Sequence, residues 1–325
     1  MSLDPVNGQV AGQRTYGPNE IPLDRVTADL RSDGVIASGI VERSSSVNMR
    51  DIALRLDGAG APIEELWRAQ DLHTSPASAA DGAVAYGSQA AGVPDGQIVL
   101  RLPDGSLRTL LGGIIPRSVA FAGNGDVVAV FVGVGLVAPP EWQGTWLARF
   151  GRDASLKWRC AIRATTTDAP HLAVATDGTI VFTLRPANVG ESVNVTWGQI
   201  EVSGVYSLVV LAASGTGEPR WARGFGDATI AYSAAIDPER GIALVAVAPA
   251  GTCPVMAVEL LAFDASRRWR REFACGGGTI AAASAVAGRN APIYVAGVVS
   301  GSFDFGKGAV TAASGGSPFV VRLVP

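Results

Sequence analysis

The sequence predicts an all-β fold of repeated four-stranded antiparallel sheets, and three observations carry that prediction. The chain of 325 residues holds 40 glycines but only 17% charged and 7% aromatic residues. A soluble domain is ordinarily about one-quarter charged, so long salt-bridged helices are disfavoured. Short apolar runs alternate with Asp-Gly and Asn-Gly pairs, the strongest local signal of a β-hairpin. These runs also recur in register at a spacing of roughly fifty residues, the period of blade-like repeats.

Each repeat opens with a small-residue strand and a tight turn. Examples are Val26-Thr27-Ala28 leading to Asp33-Gly34, Ala77-Ser78-Ala79 to Asp81-Gly82, Val119-Ala120-Phe121 to Asn124-Gly125, and Leu172-Ala173-Val174 to Asp177-Gly178. Two-residue hairpins are expected here, with both turn residues at positive φ. An apolar second strand follows, as in Ile180-Val181-Phe182-Thr183. The third strand recurs as Ile52-Ala53-Leu54-Arg55-Leu56, Ile98-Val99-Leu100-Arg101-Leu102 and Trp146-Leu147-Ala148-Arg149-Phe150. A fourth strand carries Trp67-Arg68, Trp158-Arg159, Trp221 with Arg223, or Trp269-Arg270. In these, the indole is read as filling space between sheets, with Arg reaching solvent.

Six such units make a six-bladed β-propeller, in one domain, with blades over 24–70, 71–113, 114–162, 163–226, 227–277 and 278–325. The sixth unit stops at its third strand, and residues 6–17 supply the fourth. Asn7-Gly8-Gln9-Val10 onward to Tyr16-Gly17 aligns with Thr216-Gly217-Glu218-Pro219 onward to Phe225-Gly226. The expectation is a last blade closed by the N-terminal strand, which removes an open sheet edge.

Charge and hydropathy narrow the function classes. A net charge of -3 argues against nucleic acid as a partner, which requires a basic stripe. No run reaches the roughly 18 apolar residues of a membrane-spanning helix. Met1-Ser2-Leu3-Asp4-Pro5 has no basic region followed by an apolar core, so the given chain shows no signal peptide.

Candidate site residues follow from topology. Loops from the second to the third strand, and from one blade to the next, emerge on one face. His73, Arg117, Asp168, His171 and Tyr232 fall on it from interblade segments, and Trp142, Asn194 and Trp197 from long intrablade loops. The two histidines with Asp168 and Tyr232 are the residue types for a general-base site at the channel mouth. Against each stands the plainer role of a polar loop residue. Trp142, Trp197, Arg117 and Asn194 suit ligand binding, since loop variation on a rigid scaffold builds specificity and exposed indoles stack on sugars or grip peptides. Asp29 is the one clear carboxylate on an inner strand, too few for a calcium site, so neither a metal nor a cofactor is expected. Cys253 and Cys275 reach the same face of one blade and are a candidate disulfide, which leaves Cys160 as a thiol.

The last unit carries a resemblance. Ile293-Tyr294-Val295-Ala296-Gly297, Ser302-Phe303-Asp304-Phe305-Gly306 and Ser317-Pro318-Phe319-Val320-Val321-Arg322-Leu323 resemble the Gly-rich propeller repeat of bacterial, myxobacterial-type surface proteins. The resemblance is close over about 292–323 and diluted in the other units, which lack the Ser-Phe-Asp-Phe-Gly hairpin. It implies export to the cell envelope or beyond and a binding or structural role; the expected protein is a monomer that binds a protein or glycan through its long-loop face. The alternative is a hydrolase or lyase of the six-bladed kind, working at the channel mouth.

Overall fold

A computed structural model describes residues 2–3, 10–12, 23–28, 35–43, 49–56, 62–70, 74, 76–89, 95–135, 138–164, 171–186, 191–226, 231–237, 241–248, 255–273, 279–287, 293–304, 309–311 and 317–323, with side chains chiefly within 74–273. The described residues form antiparallel sheets with no α-helix, and their one helical element is a short 3-10 turn at Pro140–Trp142. Among the described residues no helix is long and apolar enough to cross a membrane. The chain divides into two compact units, Met1–Ile162 and Arg163–Pro325.

In the first unit, strands Leu23–Ala28, Val35–Arg43, Met49–Leu56 and Pro62–Gln70 make a four-stranded meander. Ala77–Ser78, Val84–Gln89 and Gly96–Arg101 begin the next, and its fourth strand is the leading part of a continuous strand, Leu107–Phe121. Residues 107–114 of that strand pair with Gly96–Arg101, whereas 115–121 pair with Val127–Gly133. One strand thus serves two sheets, and Gly144–Phe150 and Leu156–Ala164 complete the second of them. Val10–Gly12 pairs with Ser2–Leu3.

The second unit repeats the plan. Leu172–Val174, Ile180–Leu184, Leu208–Ala213 and Pro219–Phe225 form one meander, and Ala231–Asp237, Gly241–Ala248, Val255–Leu261 and Arg267–Phe273 form another. Thr279–Ala287, Ile293–Ser300 and Ser317–Leu323 form a three-stranded sheet. Two of these sheets carry an extra hairpin between their second and third strands. One is Ser192–Trp197 with Ile200–Val205, and the other is Ser302–Asp304 with Ala309–Thr311.

Continuous apolar runs explain the packing. Val127 to Phe131 and Leu208 to Ala213 are buried at every position, so both faces of these strands are covered. In the first unit a core runs from Ala85, Ile98 and Leu100 to Ala129, Phe131 and Phe150. In the second, Val181, Leu208 and Val210 meet Ala234, Ile242 and Leu244. Fully burying each such aliphatic side chain contributes about 1.5–3 kcal/mol.

The turns depart from the two-residue expectation. Seven described hairpins, at 79–83, 102–106, 122–126, 151–155, 175–179, 214–218 and 262–266, share one hydrogen-bond pattern. The first residue donates its N–H to the carbonyl of the fifth, and the fourth donates back to the carbonyl of the first, at 2.7–3.0 Å. This is a three-residue loop closed by a left-handed residue, as in a type I turn with a bulge. Only that fourth residue has positive φ, as at Gly82 (94°), Gly105 (85°), Gly125 (85°) and Gly178 (84°). The preceding Asp keeps negative φ because its carboxylate is otherwise engaged. Asp104 Oδ1 accepts from Ser106 N–H at 2.9 Å, and Asp81, Asn124, Asp153, Asp177 and Asp264 make the same bond two residues on. Ser106, Ser155 and Ser266 also donate their hydroxyls to the same carboxylates. Those hydroxyls, then the N–H groups beside them, hold the Asp104, Asp153 and Asp264 carboxyls below the usual carboxylate range.

Two predictions follow from this turn. Alanine stands at the left-handed position in Ala154 (φ 66°) and Ala265 (φ 67°). The left-handed penalty of about 1–2 kcal/mol exceeds the roughly 0.5–1 kcal/mol that glycine costs in chain entropy. Ala154→Gly and Ala265→Gly should therefore each stabilise the protein by about 0.5–1 kcal/mol in urea unfolding, and a loss of stability would exclude left-handed strain. The lowered Asp carboxyls contribute stability that is complete above the unfolded carboxylate value near 4 and is lost as pH falls through the folded value. The Tm of the parent should accordingly fall on acidification below about pH 4. A D104N/D153N/D264N variant, which keeps the carbonyl acceptor, should show a shallower fall, and parallel curves would rule these turns out as the cause.

Candidate functional site

The sequence points to the ends of the sheets opposite the Asp-anchored turns, and the described residues there belong to each unit separately. In the first unit, Thr74 is buried, and its Oγ1 accepts from Gly87 N–H at 2.7 Å. The first strand, Ala77–Ser78, is too short to pair that N–H, so a side chain takes the place of the ladder. Pro116 closes over the same spot, where a Cβ on Gly87 would lie 2.4 Å from Pro116 Cβ and 2.6 Å from Thr74 Cγ2. Arg117 follows in the β-bulge between Pro116 and Ser118, half-buried. Bulges redirect a side chain out of the ladder, which gives Arg117 a fixed place at this end.

Trp142 is not the exposed platform expected. It is 8% exposed, at 5.4 Å from Phe131 and 5.5 Å from Trp146 between ring centroids. The Arg159 guanidinium lies over both indoles, 4.5 Å from the Trp142 centroid and 5.1 Å from that of Trp146. Arg159 also donates to the Glu141 carbonyl at 3.1 Å. Gln143 reaches back to the Gly135 and Ala138 carbonyls, and Trp146 Nε1 donates to the Gln143 carbonyl. A Cβ on Gly133 would lie 1.8 Å from the Trp142 carbonyl oxygen, so only glycine admits this path. The long segment is thus pinned onto its own sheet. The physical reason is local: Pro139 and Pro140 start a 3-10 turn that swings the indole inward.

In the second unit Trp197 is wholly buried, edge-on to Phe182 at 5.3 Å and 72°. It belongs to a strand rather than a loop. Along Ser192–Trp197, Val193, Val195 and Trp197 are buried while Ser192 and Asn194 are exposed. Its partner strand alternates too, with Glu201, Ser203 and Val205 exposed. Asn194 faces Ser203 across the hairpin, and Thr196 faces Glu201. The hairpin therefore has a dry side and a wet side.

Four contacts fix the hairpin. Arg163 and Ala164 pair with Thr196 and Val195. Trp197 packs on Phe182, and a Cβ on Gly198 at the tip would lie 3.2 Å from Pro219 Cγ. The Tyr206 ring fills the place where Cβ atoms on Gly204 and Gly224 would stand, 2.7 and 2.5 Å away. Glycine at both positions lets the ring lie flat against two strands.

Two of the four residues of the expected general-base group lie among the described residues. His171 is half-buried just before the strand Leu172–Val174, where its carbonyl accepts from Thr183 N–H at 3.0 Å. Tyr232 lies on the strand Ala231–Asp237, opposite Ala246. His73 and Asp168 lie outside the described residues, as do Cys253 and Cys275. Cys160 carries a thiol on the strand Leu156–Ala164, half-exposed. Among the described residues, no group of three or more His, Cys, Asp or Glu side chains is placed to hold a metal ion.

Among the fourth-strand tryptophans, Trp221 has a second role. Trp221 Nε1 donates at 2.7 Å to the Phe263 carbonyl, in the turn region of the next sheet. In the first unit Arg108 makes the corresponding tie, donating to the Arg152 carbonyl at 2.6 Å. Neighbouring sheets are thus joined through the outer strand of one and the turn of the next.

No protein-family model matches the chain, and no curated protein matches it in sequence. Among solved structures it is similar to a luciferin-regenerating enzyme, at 11% identity over 75% of each chain and a TM-score of 0.40. It is similar to a putative 6-phosphogluconolactonase from Bacteroides fragilis NCTC 9343, at 9% identity over 89% of this chain and 81% of that one, TM-score 0.44. A third likeness is to the SapL1 lectin in complex with alpha methyl fucoside, at 10% identity over 94% of this chain and 98% of that one, TM-score 0.38. Likeness at this level implies no activity and no ligand.

Proposed function

We propose that the chain is a six-bladed β-propeller, its last blade completed by residues 6–17, that works outside the cytoplasm as a non-catalytic scaffold for another protein. Successive four-stranded antiparallel meanders with a shared turn support the architecture. The alignment of residues 7–17 with 216–226 supports the closure, and the Gly-rich repeat over 292–323 supports export.

The observation that carries the binding role is the inserted hairpin. Its dry side is anchored by Trp197 and Tyr206, and its wet side presents Ser192, Asn194, Glu201 and Ser203. Such a mounting holds polar groups in one geometry, so little ordering entropy is lost when a partner docks. Burial of Trp142 and Trp197 removes the ring stacking that favoured a sugar, which leaves a protein as the partner.

Site-specific photocrosslinking tests this reading. With benzoylphenylalanine at Asn194 or Ser203, cells of the source organism should yield an adduct of one discrete mass. The same probe at exposed Leu107, in the other unit, should yield none. Adducts equally abundant at Leu107, or absent at both hairpin positions, would contradict the assignment.

A further inference from the structure

A second surface lies on the outer strand Arg267–Phe273, in a different sheet from the hairpin. Its sequence, Arg267-Arg268-Trp269-Arg270-Arg271-Glu272-Phe273, places four guanidinium groups in five positions, in a chain of net charge -3. The strand ends its sheet, pairing only with Val255–Leu261 among the described residues. Alternate main-chain N–H and C=O groups on its outer side therefore face outward.

The four arginines divide into two pairs. Arg267 and Arg270 converge on Glu259, whose side chain is 5% exposed, the first through Nε to Oε2 at 3.1 Å. Arg270 also holds Glu272 at 2.6 Å. These two are internal partners of a carboxylate that would otherwise be buried alone. Arg268 and Arg271 are exposed and make no hydrogen bond or ion pair among the described residues. Arg268 is the extra residue at the register shift where Leu260 meets Trp269 and Leu261 meets Arg267. Asp264, in the adjoining turn, takes its hydrogen bonds from Ser266 and acts on Arg268 only through space.

We propose that this outer edge receives an extended acidic peptide as an added strand, with Arg268 and Arg271 pairing its carboxylates. Charge selects the occupant. A second copy of the same edge would set arginine against arginine, which protects the strand from self-pairing. A polyanion without a peptide backbone would satisfy the guanidinium groups but leave the open main-chain groups unmatched. An acidic peptide in β conformation satisfies both, in the manner of strand addition.

The probe is a short fluorescent peptide of alternating glutamate and valine, titrated by anisotropy at low salt against the full chain. Saturable binding is expected, weakened about tenfold in R268E/R271E and less in R268Q/R271Q, the tenfold loss being about 1.4 kcal/mol. The control R220E/R223E, on another outer strand, should bind as the parent does. The same peptide N-methylated at alternate residues should lose binding, because it cannot extend the ladder. The proposal is overturned if the peptide does not bind, if R268E/R271E binds equally, or if the N-methylated peptide binds as well as the parent. Binding of a heparin fragment without binding of the peptide would also overturn it, as would binding of both with no effect of N-methylation.

Discussion

Seven described reversals depend on one local constraint, a chain reversal within three residues in which only the last needs left-handed backbone. An Asp or Asn captures the N–H two residues on, in the residue that leads into the returning strand, and this preorganises the reversal before any sheet partner arrives. The same device stands at Asp81, Asp104, Asn124, Asp153, Asp177 and Asp264. Ser214 replaces it in the remaining turn, its Oγ accepting from Glu218 N–H at 3.1 Å. With reversals fixed locally, register follows from the turn. Apolar positions of successive strands then reach the same face without a search over alternatives.

The turns also bind to one another. In the first unit Arg152 leaves its own turn to pair with Asp81 and to donate to the Gly125 carbonyl, which joins three reversals around one guanidinium. Arg149 adds Asp126 and Asn124, at 2.9 and 2.8 Å. That end of the sheets is consequently committed to structure. Loops at the opposite end were free to lengthen, and there the chain places both the Trp142 segment and the inserted hairpin. One insertion folds back to fill its own sheet, and the other carries a polar side outward. Length of insertion alone does not distinguish these outcomes. What distinguishes them is whether alternate residues are polar.

Much of this was legible in the residues. Apolar runs such as Ile180 to Thr183 located strands, and the Asp-Gly pairs located the reversals. The turn type was misread because Asp was credited with tolerance of positive φ, whereas its carboxylate has a better use as acceptor for the N–H two residues on. Ala154 and Ala265 carried the corrective signal, since a loop without glycine still closes there. The hairpin was read as a loop, although Ser192, Asn194 and Thr196 alternate with Val193, Val195 and Trp197, the period of a half-buried strand. Trp142 was not legible, because the guanidinium that covers it comes from Arg159, across the sheet. Nor does composition reveal that Leu107–Phe121 runs unbroken through two sheets, since the change of partner between Ile114 and Ile115 is decided by tertiary packing.

The inserted hairpin, 192–205, is a fixed part of the scaffold that presents one polar side. Hydrogen–deuterium exchange of the whole chain tests it most directly, by comparing peptides that cover 192–205 with those that cover the buried strand Leu208–Ala213. Protection of 192–205 close to that of the buried strand is the predicted result. Complete exchange of 192–205 at the earliest time point, as in an open loop, would contradict the account.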